Sequence, residues 1–239
     1  MRIQNEPAIL LHSRPYSESS LLLEVFSSNF GRLGLMAKGA RRLKSRYRGQ
    51  LSLFQPLLVS WSGKGELPIL TGVELHGPLV ELKGNPVYCG FYLNELILKL
   101  LHRHDAHQAL FEKYTSAIEL LVKSENIEAV LRVFEKHLLT ELGYALILER
   151  DSNTRTPIQA EKKYSYVLDQ GPVSISDSQV GKLVIHGQTL IALAEEVLED
   201  KTVLLESKQL LRAILNQQLD GKTLKSRQLM SQIKQFSTL

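Results

Sequence analysis

Apolar and polar residues follow each other in short runs through residues 1–80, a pattern that is typical of β-strands. Turn residues separate five such runs, which span 8–13, 20–26, 30–37, 51–61 and 67–75. The fourth run is either one long strand or two segments kinked at Pro56, and Gly63-Lys64-Gly65 predicts a hairpin loop after it. Five short strands over about 75 residues favour a small closed barrel of the oligonucleotide-binding (OB) type, whose strand order periodicity leaves open.

From Tyr88 onward the apolar positions recur every three or four residues, which predicts helices. The helical runs span 88–102, 106–123, 126–142, 188–199 and 202–219. Asn126 is a suitable N-cap for the third helix and Gly143 a suitable stop signal. Polar residues dominate 151–180, where alternation around Tyr164 predicts a small hairpin, and the tail from Gly221 is basic.

These patterns predict an α+β protein with two domains. We expect an OB-fold nucleic-acid-binding domain over residues 1–80. A mainly α-helical domain is expected over residues 81–239, with a small irregular or hairpin insert near 151–180. Gly77-Pro78 and Gly84-Asn85-Pro86 supply the turn residues for the joint between the two domains.

Cysteine content and hydropathy narrow the possible classes of protein. Cys89 is the single cysteine among 239 residues, which excludes an intramolecular disulfide framework and any zinc site built from several cysteines. The first residues lack the apolar run of a secretory signal, and no run approaches the roughly 18 apolar residues of a membrane span. We therefore expect a cytoplasmic protein without a membrane partner.

Charge is distributed very unevenly along the chain. The 41 residues between Glu24 and Glu66 contain no acidic residue, so this interval carries +8, while the net charge of +4 leaves −4 for the remainder. Its basic residues are Arg32, Lys38, Arg41, Arg42, Lys44, Arg46, Arg48 and Lys64. A block of one sign beside apolar strands predicts a surface for a polyanion. The alternative is a loop that only improves solubility.

Aromatic residues surround this basic block and suit either base stacking or core packing. Phe54 and Trp61 lie in apolar runs, which favours core packing for both. Tyr47 stands between Arg46 and Arg48, which favours an exposed side chain for which stacking on a base and packing are both open.

No convincing catalytic or cofactor motif is present. Gly221-Lys222-Thr223 resembles the end of a phosphate-binding loop, but the earlier glycine is missing and a helix precedes it. His102, His104 and His107 lie close in sequence to Asp105, although no further ligand pair accompanies them. The sequence contains no Gly-x-Ser-x-Gly elbow, and the neighbours of Cys89 favour buried packing. We expect a protein that is not an enzyme and that needs no cofactor or metal.

Several segments of the chain match the sequence pattern of a known family. They are residues 12–23, 31–42, 54–58, 92–96, 131–135, 141–144 and 222–229, of which Ala37-Lys-Gly-Ala-Arg is the most specific. These segments closely resemble the RecO family of bacterial DNA repair and recombination mediators. The resemblance runs in order through nearly the whole chain. It implies an OB barrel followed by a helical domain, in agreement with the division above.

The family resemblance also implies a function and a set of partners. RecO-like proteins anneal complementary single strands and help RecA replace single-stranded DNA-binding protein, usually together with RecR, and they hydrolyse no nucleotide. Many relatives hold zinc with four cysteines, and this chain has only Cys89, so we expect no zinc here. An OB-fold RNA-binding protein of translation or RNA turnover is the alternative, because a barrel with a basic loop suits single-stranded RNA equally well.

Two sets of residues are the candidate sites. For single- and double-stranded DNA the expected contacts are Arg14, Arg32, Lys38, Arg41, Arg42, Lys44, Arg46, Tyr47 and Arg48. For the acidic, apolar-ended tail of single-stranded DNA-binding protein, the expected contacts are Arg132, Phe134, Lys136 and Leu138. That tail needs an apolar pocket with a cation at its rim. An ion pair of Arg132 with Glu128 or Glu135 on the helix surface is the alternative.

Overall fold

The amino-terminal strands close into a five-stranded barrel in the computed structural model, which describes residues 1–175 and 183–236. The strands are β1 (Arg2–Tyr16), β2 (Ser20–Ser27), β3 (Gly31–Ala37), β4 (Pro56–Ser62) and β5 (Ile69–Leu75). Around the barrel the order is β1-β2-β3-β5-β4, with β3 and β5 parallel and every other neighbouring pair antiparallel. The structure confirms the predicted barrel and supplies the strand order that the sequence left open.

Alternate residues of the strands fill the barrel, as the two-residue period of a strand requires. In β4 the inward positions are Leu57, Val59 and Trp61, and each is almost completely buried. The Trp61 ring packs edge-on against Phe30, with the ring centroids 5.2 Å apart. Phe54 is also buried and packs against Phe91, so core packing is confirmed for both aromatic residues.

The largest differences from the predicted strand boundaries are in β4 and β1. Residues 51–55 are not part of a strand, because Phe54 adopts a φ of 66° and the chain turns before β4 begins at Pro56. Strand β1 begins at Arg2 instead of residue 8 and continues through Pro15 to Tyr16. Proline is tolerated there because the pairing of β1 with β4 ends at Ile9, so the missing N–H at Pro15 faces no strand on that side.

Two helices pack on the barrel, α1 (Asn85–Leu100) and α2 (Gln108–Lys123). The buried Asn94 side chain of α1 donates to the carbonyl of Leu11 at 2.8 Å and accepts from the hydroxyl of Tyr114 at 2.5 Å. Phe26 of β2 lies edge-on to the rings of Phe111 and Tyr114. Burial raises the pKa of Tyr114, so its hydroxyl remains a donor. These contacts join strand and helix into one core.

The last helix, α6 (Lys225–Phe236), belongs to the same compact unit as the barrel, α1 and α2. The sequence indicated only a basic tail for this segment. Its first backbone N–H groups are bound by a carboxylate of α1: Glu95 accepts from Lys225 N at 3.0 Å and from Ser226 N at 2.8 Å. The guanidinium of Arg227 lies 5.4 Å from the centroid of the Tyr92 ring. Burial opposes ionisation of Glu95, but the hydrogen bonds from Ser226 and Lys225 outweigh it and lower the pKa of Glu95.

A second unit, residues 124–223, combines three helices with a small sheet. Its elements are α3 (Ile127–Glu141), β6 (Lys163–Val167), β7 (Gly171–Ser174), β8 (Val184–His186), α4 (Gly187–Glu195) and α5 (Lys201–Gln218). The sheet has the order β7-β6-β8, which confirms the hairpin predicted around Tyr164. Asn126 caps α3 by accepting from Ala129 N at 3.1 Å, and Gly143 follows the helix with a φ of 84°.

A buried carboxylate organises the loop before this sheet. Asp151 accepts hydrogen bonds from Asn153 N at 2.8 Å and Thr154 N at 2.9 Å, and from Ser174 N of β7 at 2.7 Å. Burial opposes its ionisation, but the hydrogen bonds from Ser174 and from the loop backbone outweigh that effect, so the pKa of Asp151 lies well below its usual range. Hydrogen bonds therefore hold this loop on the sheet.

The packing units divide the chain at a different place from the expected domain boundary. The barrel unit comprises residues 1–123 and the segment from Leu224, so α1, α2 and α6 belong to the same unit as the barrel. The expected insert near 151–180 is described as far as residue 175; its last residues, 176–180, and the chain end at 237–239 lie outside the described ranges. No helix in those ranges is long and apolar enough to cross a membrane.

Candidate nucleic-acid interface

The loop between β3 and β4 is folded as a series of tight turns. Backbone hydrogen bonds run from Arg42 N to Gly39 O at 3.1 Å, from Ser45 N to Arg42 O at 3.0 Å and from Arg48 N to Ser45 O at 3.2 Å. We call residues 38–50 the basic loop. Because these backbone bonds hold the loop in a folded form, its side chains project from a defined surface.

Tyr47 anchors the basic loop on the barrel. Its side chain is 4% exposed and belongs to the barrel core, and its hydroxyl donates to the carbonyl of Leu70 in β5 at 2.8 Å. The guanidinium of Arg46 lies 4.8 Å from the centroid of the Tyr47 ring and donates to the Tyr47 hydroxyl at 2.6 Å. The expectation that Tyr47 is exposed is therefore wrong, and a buried ring cannot stack on a base.

Six cations of the basic loop are exposed to solvent. They are Lys38, Arg41, Arg42, Lys44, Arg46 and Arg48. Within the described parts of the chain, no carboxylate lies within ion-pair distance of any of them. No ion pair thus neutralises any of the six charges, which favours a positive potential above this face of the barrel.

The hairpin between β1 and β2 lies beside the basic loop. Arg41 donates its backbone N–H to Ser19 O at 2.9 Å and its guanidinium to Ser17 O at 3.1 Å. Two exposed residues of β1, Arg14 and Tyr16, directly precede this hairpin turn. The hairpin thus adds one more exposed cation and an exposed aromatic ring to the strand end that borders the basic loop.

Arg32 does not belong to this exposed surface. Its guanidinium is partly buried and donates to the carbonyl of Leu98 near the carboxyl end of α1, next to the ion pair of Glu24 with Arg103. Burial lowers the pKa of Arg32, while the charge of Glu24 acts to raise it. Because its donors are directed into the protein, we remove Arg32 from the predicted DNA contacts.

The partner site predicted on α3 is buried rather than open. Arg132 is 5% exposed and its guanidinium lies 2.6 Å from the buried carboxylate of Glu135, one turn along the helix. Phe134 and Leu138 are also buried. The expectation of an exposed cation at the rim of a pocket is therefore wrong for Arg132. The ion pair with Glu135 is the alternative that the sequence offered, but it lies in the interior and not on the surface.

The Lys136 side chain caps the carboxyl end of α4. Its ammonium group donates to the carbonyls of Leu193 and Ala194, both at 3.0 Å, and lies 2.8 Å from the Glu196 carboxylate. Burial opposes ionisation of Glu196, but Lys136 and His137 outweigh it and lower the pKa of Glu196. A cation at the carboxyl end of a helix is favourable because unpaired carbonyls collect there. This geometry gives Lys136 a structural role.

The remaining candidates form no site in the described residues. His107 pairs with Asp105 at 3.4 Å, and no group of three or more His, Cys, Asp or Glu side chains comes together over 1–175 and 183–236. Gly221 lies in the turn between α5 and α6, and Cys89 is buried in α1. The expected independence from metal and cofactor stays a prediction.

An OB barrel with an exposed, uncompensated basic loop defines a nucleic-acid-binding class of protein. Family models refine this class: the recombination protein O amino-terminal model matches residues 1–79 and the carboxyl-terminal model matches residues 83–228. The chain belongs to the recombination protein O (RecO) family.

Relatives named DNA repair protein RecO resemble the chain over almost its whole length. The protein of Nitrosococcus oceani is 44% identical over 239 residues, covering 100% of this chain and 97% of the relative. That of Coxiella burnetii is 45% identical over 229 residues, covering 96% and 98%. The Dechloromonas aromatica protein is 42% identical over 238 residues, with 98% of both chains covered. The RNA-binding alternative is not favoured by these relatives.

Proposed function

We propose that this protein mediates recombinational DNA repair by binding single- and double-stranded DNA through the basic loop and annealing complementary strands. In this role it helps to load RecA onto DNA coated with single-stranded DNA-binding protein. The observation that carries the proposal is the set of six exposed loop cations that no carboxylate neutralises in the described residues. Family membership and the names of the relatives support the repair context.

The basic loop suits annealing because two DNA strands repel each other through their phosphates. Cations that contact phosphates release condensed counterions, which drives binding and makes it depend on salt. Neutralised strands approach each other more readily, and base pairing itself then supplies the sequence recognition. Neither binding nor pairing breaks a covalent bond, so this activity needs no catalytic group, in keeping with the proposal that the protein is not an enzyme.

The proposal is tested by replacing Arg41, Arg42 and Lys44 together with alanine and measuring single-strand binding at several salt concentrations. Each lost phosphate contact lowers the salt slope by about 0.7, so we expect a decrease of about 2. The melting temperature should stay near that of the wild type, because all three side chains are exposed. Annealing of complementary oligonucleotides should slow in parallel with the loss of binding.

The matched control replaces three exposed cations of the second unit, Lys162, Lys163 and Arg212, with alanine. This variant loses the same total charge, so it separates a local contact from a general electrostatic effect. We expect its salt slope to stay close to that of the wild type. An equal decrease in both triple variants, or no decrease in the loop variant, contradicts the assignment of DNA binding to the basic loop.

The partners in this proposal are single-stranded DNA-binding protein, RecR and the RecA pathway, and the setting is the cytoplasm, in association with the nucleoid.

A contact between α3 and the tail of single-stranded DNA-binding protein stays a prediction, under a stricter condition than the sequence suggested. Because Glu135 already pairs with Arg132, a tail carboxylate has to replace Glu135 as its partner. Calorimetric titration with a tail peptide tests this: Glu135→Gln should bind more tightly than wild type, and unchanged affinity argues for a site elsewhere.

A further inference from the structure

A large apolar side chain projects from the middle of the basic loop. Leu43 is 85% exposed and lies between Arg42 and Lys44 in the sequence. Single exposed apolar residues are common on protein surfaces, so exposure by itself indicates nothing. Leu43 differs because a cationic surface surrounds it, and a polyanion attracted to that surface brings its bases into reach of the side chain.

The backbone at Leu43 is held in place on both sides. The turn bonds from Arg42 N to Gly39 O and from Ser45 N to Arg42 O flank it. The guanidinium of Arg48 donates to the Leu43 carbonyl at 3.3 Å. Tyr47 then fixes the loop to β5, as described above. Leu43 is therefore presented by a folded loop, which reduces the conformational entropy lost on binding.

We propose that Leu43 inserts against the faces of DNA bases and partly unstacks them while the flanking cations hold the phosphates. This inference rests on the proposed function and names the base contact within the same site. Phosphate and sugar offer a leucine side chain no apolar partner, whereas base faces do, and leucine is among the residues that proteins insert between base steps. Leu43 and Tyr47 are the only large apolar or aromatic residues of the basic loop. Since the Tyr47 ring is buried, Leu43 is the one large apolar side chain of the basic loop itself that can make this contact.

Such a contact has a consequence for annealing. A single strand in water stacks its own bases and forms internal pairs, both of which hide the edges that a complementary strand needs. A leucine that separates neighbouring bases exposes those edges while the phosphates stay bound. The basic loop then contributes base presentation as well as charge neutralisation, and these two contributions are separable by mutation.

The test uses a single-stranded oligonucleotide that contains 2-aminopurine, an adenine analogue whose fluorescence rises when its neighbours unstack. Saturating wild-type protein should raise this fluorescence. Leu43→Ala should lose at least half of the rise and bind about three- to tenfold more weakly, as expected for removing part of one buried leucine. Its salt slope and melting temperature should not change, because no charge and no buried group is lost.

Three further variants define the comparison. Leu79→Ala removes another exposed leucine, 75% accessible and outside the basic loop, and should behave as wild type in every measurement. Leu43→Lys should raise the salt slope by about 0.7 through a new phosphate contact, yet give no rise in 2-aminopurine fluorescence. Leu43→Trp keeps a large apolar group and should retain the rise.

The outcomes distinguish this inference from the function on which it rests. If Leu43→Ala keeps both the fluorescence rise and the affinity of the wild type, the base contact is overturned, whatever the cations do. If that variant loses binding to a protein partner while its DNA measurements stay normal, the leucine serves a protein interface and the inference is equally overturned. An unchanged salt slope in the triple loop variant overturns the proposed function itself.

Discussion

The basic loop and helix α3 both carry arginines that the sequence marks as binding residues, and their surroundings differ completely. Arg41 and Arg42 are exposed, and in the described residues neither forms an ion pair with a carboxylate. Arg132 is buried, and Glu135 lies 2.6 Å from it. The loop arginines can therefore bind a ligand directly, whereas Arg132 can do so only if the ligand replaces Glu135. The acid-free interval between Glu24 and Glu66 accounts for the difference along the chain, because it places no acid beside the loop arginines in the sequence.

The two regions also differ in what their charges do for stability. An exposed cation keeps its hydration and contributes little to folding, whichever way its neighbours are arranged. A buried ion pair has lost its hydration, so each member depends on the other for compensation. Substitution therefore separates the two kinds of site: loop variants should change binding without unfolding the protein, whereas α3 variants should change stability first.

The largest expected effect comes from breaking the buried pair. Arg132→Ala removes the cation that pairs with the buried Glu135 side chain, and we expect the free energy of unfolding to fall by about 3–5 kcal/mol in urea denaturation. Arg41→Ala, the matched control in the basic loop, should change it by less than about 0.5 kcal/mol. If Arg132→Ala is as stable as the control, the pair is solvated in solution and the contrast between the two regions disappears.

A smaller effect is expected at Asp151, where a buried acid is compensated by neutral donors instead of a cation. Asp151→Asn should lower the free energy of unfolding by about 1–3 kcal/mol at pH 7, since the amide cannot accept all of these hydrogen bonds. The folded-state pKa of Asp151 is depressed, so its contribution is complete above the unfolded pKa of about 3.9 and disappears as the pH falls further. The difference between the two proteins should therefore narrow below about pH 4 in denaturation followed at several pH values. A constant difference contradicts the assignment to an ionised carboxylate.

The smallest effect is expected at the anchor of the basic loop. Tyr47→Phe keeps the buried ring and removes the hydrogen bond to Leu70, which should lower stability by about 1 kcal/mol. Limited trypsin digestion should then cut the basic loop faster, because the loop opens more often from the barrel. Tyr144→Phe, at a tyrosine that is largely exposed, is the control for removal of a hydroxyl. Equal digestion of both variants and the wild type would show that the ring alone holds the loop.

Periodicity in the sequence predicted the barrel and helices α1 to α5, and the acid-free run of basic residues predicted the exposed loop cations, because these features depend on local pattern. Prediction failed where the outcome depends on residues far apart in the chain. The position of Tyr47 between two arginines predicts an exposed ring, yet it is buried because the loop folds back onto β5 at Leu70. The charge pattern counts Arg32 as one more cation of the basic block, but Leu98 of α1 accepts its hydrogen bond. No local signal reports either partner.

Helix α6 was missed for the same reason. A helix start is recognised in sequence by a capping residue just before it, and the groups that cap α6 come from Glu95, 130 positions away from Lys225. The basic composition after Gly221 therefore indicated a tail. By contrast, Asn126 caps α3 from the adjacent position, and the start of α3 was predicted correctly.

The place of α6 in the barrel unit has a consequence for the order of events during synthesis. Residues 124–223 form a continuous segment that interrupts the chain of the other unit. A ribosome releases all of that segment before Lys225 and Ser226 emerge, so until then Glu95 lacks the two N–H groups that it binds in the folded protein. The barrel unit begins at residue 1 but is complete only after the segment from Leu224 has emerged. Residues 124–223 emerge earlier as one continuous segment, so their unit is the first that can finish folding on the ribosome.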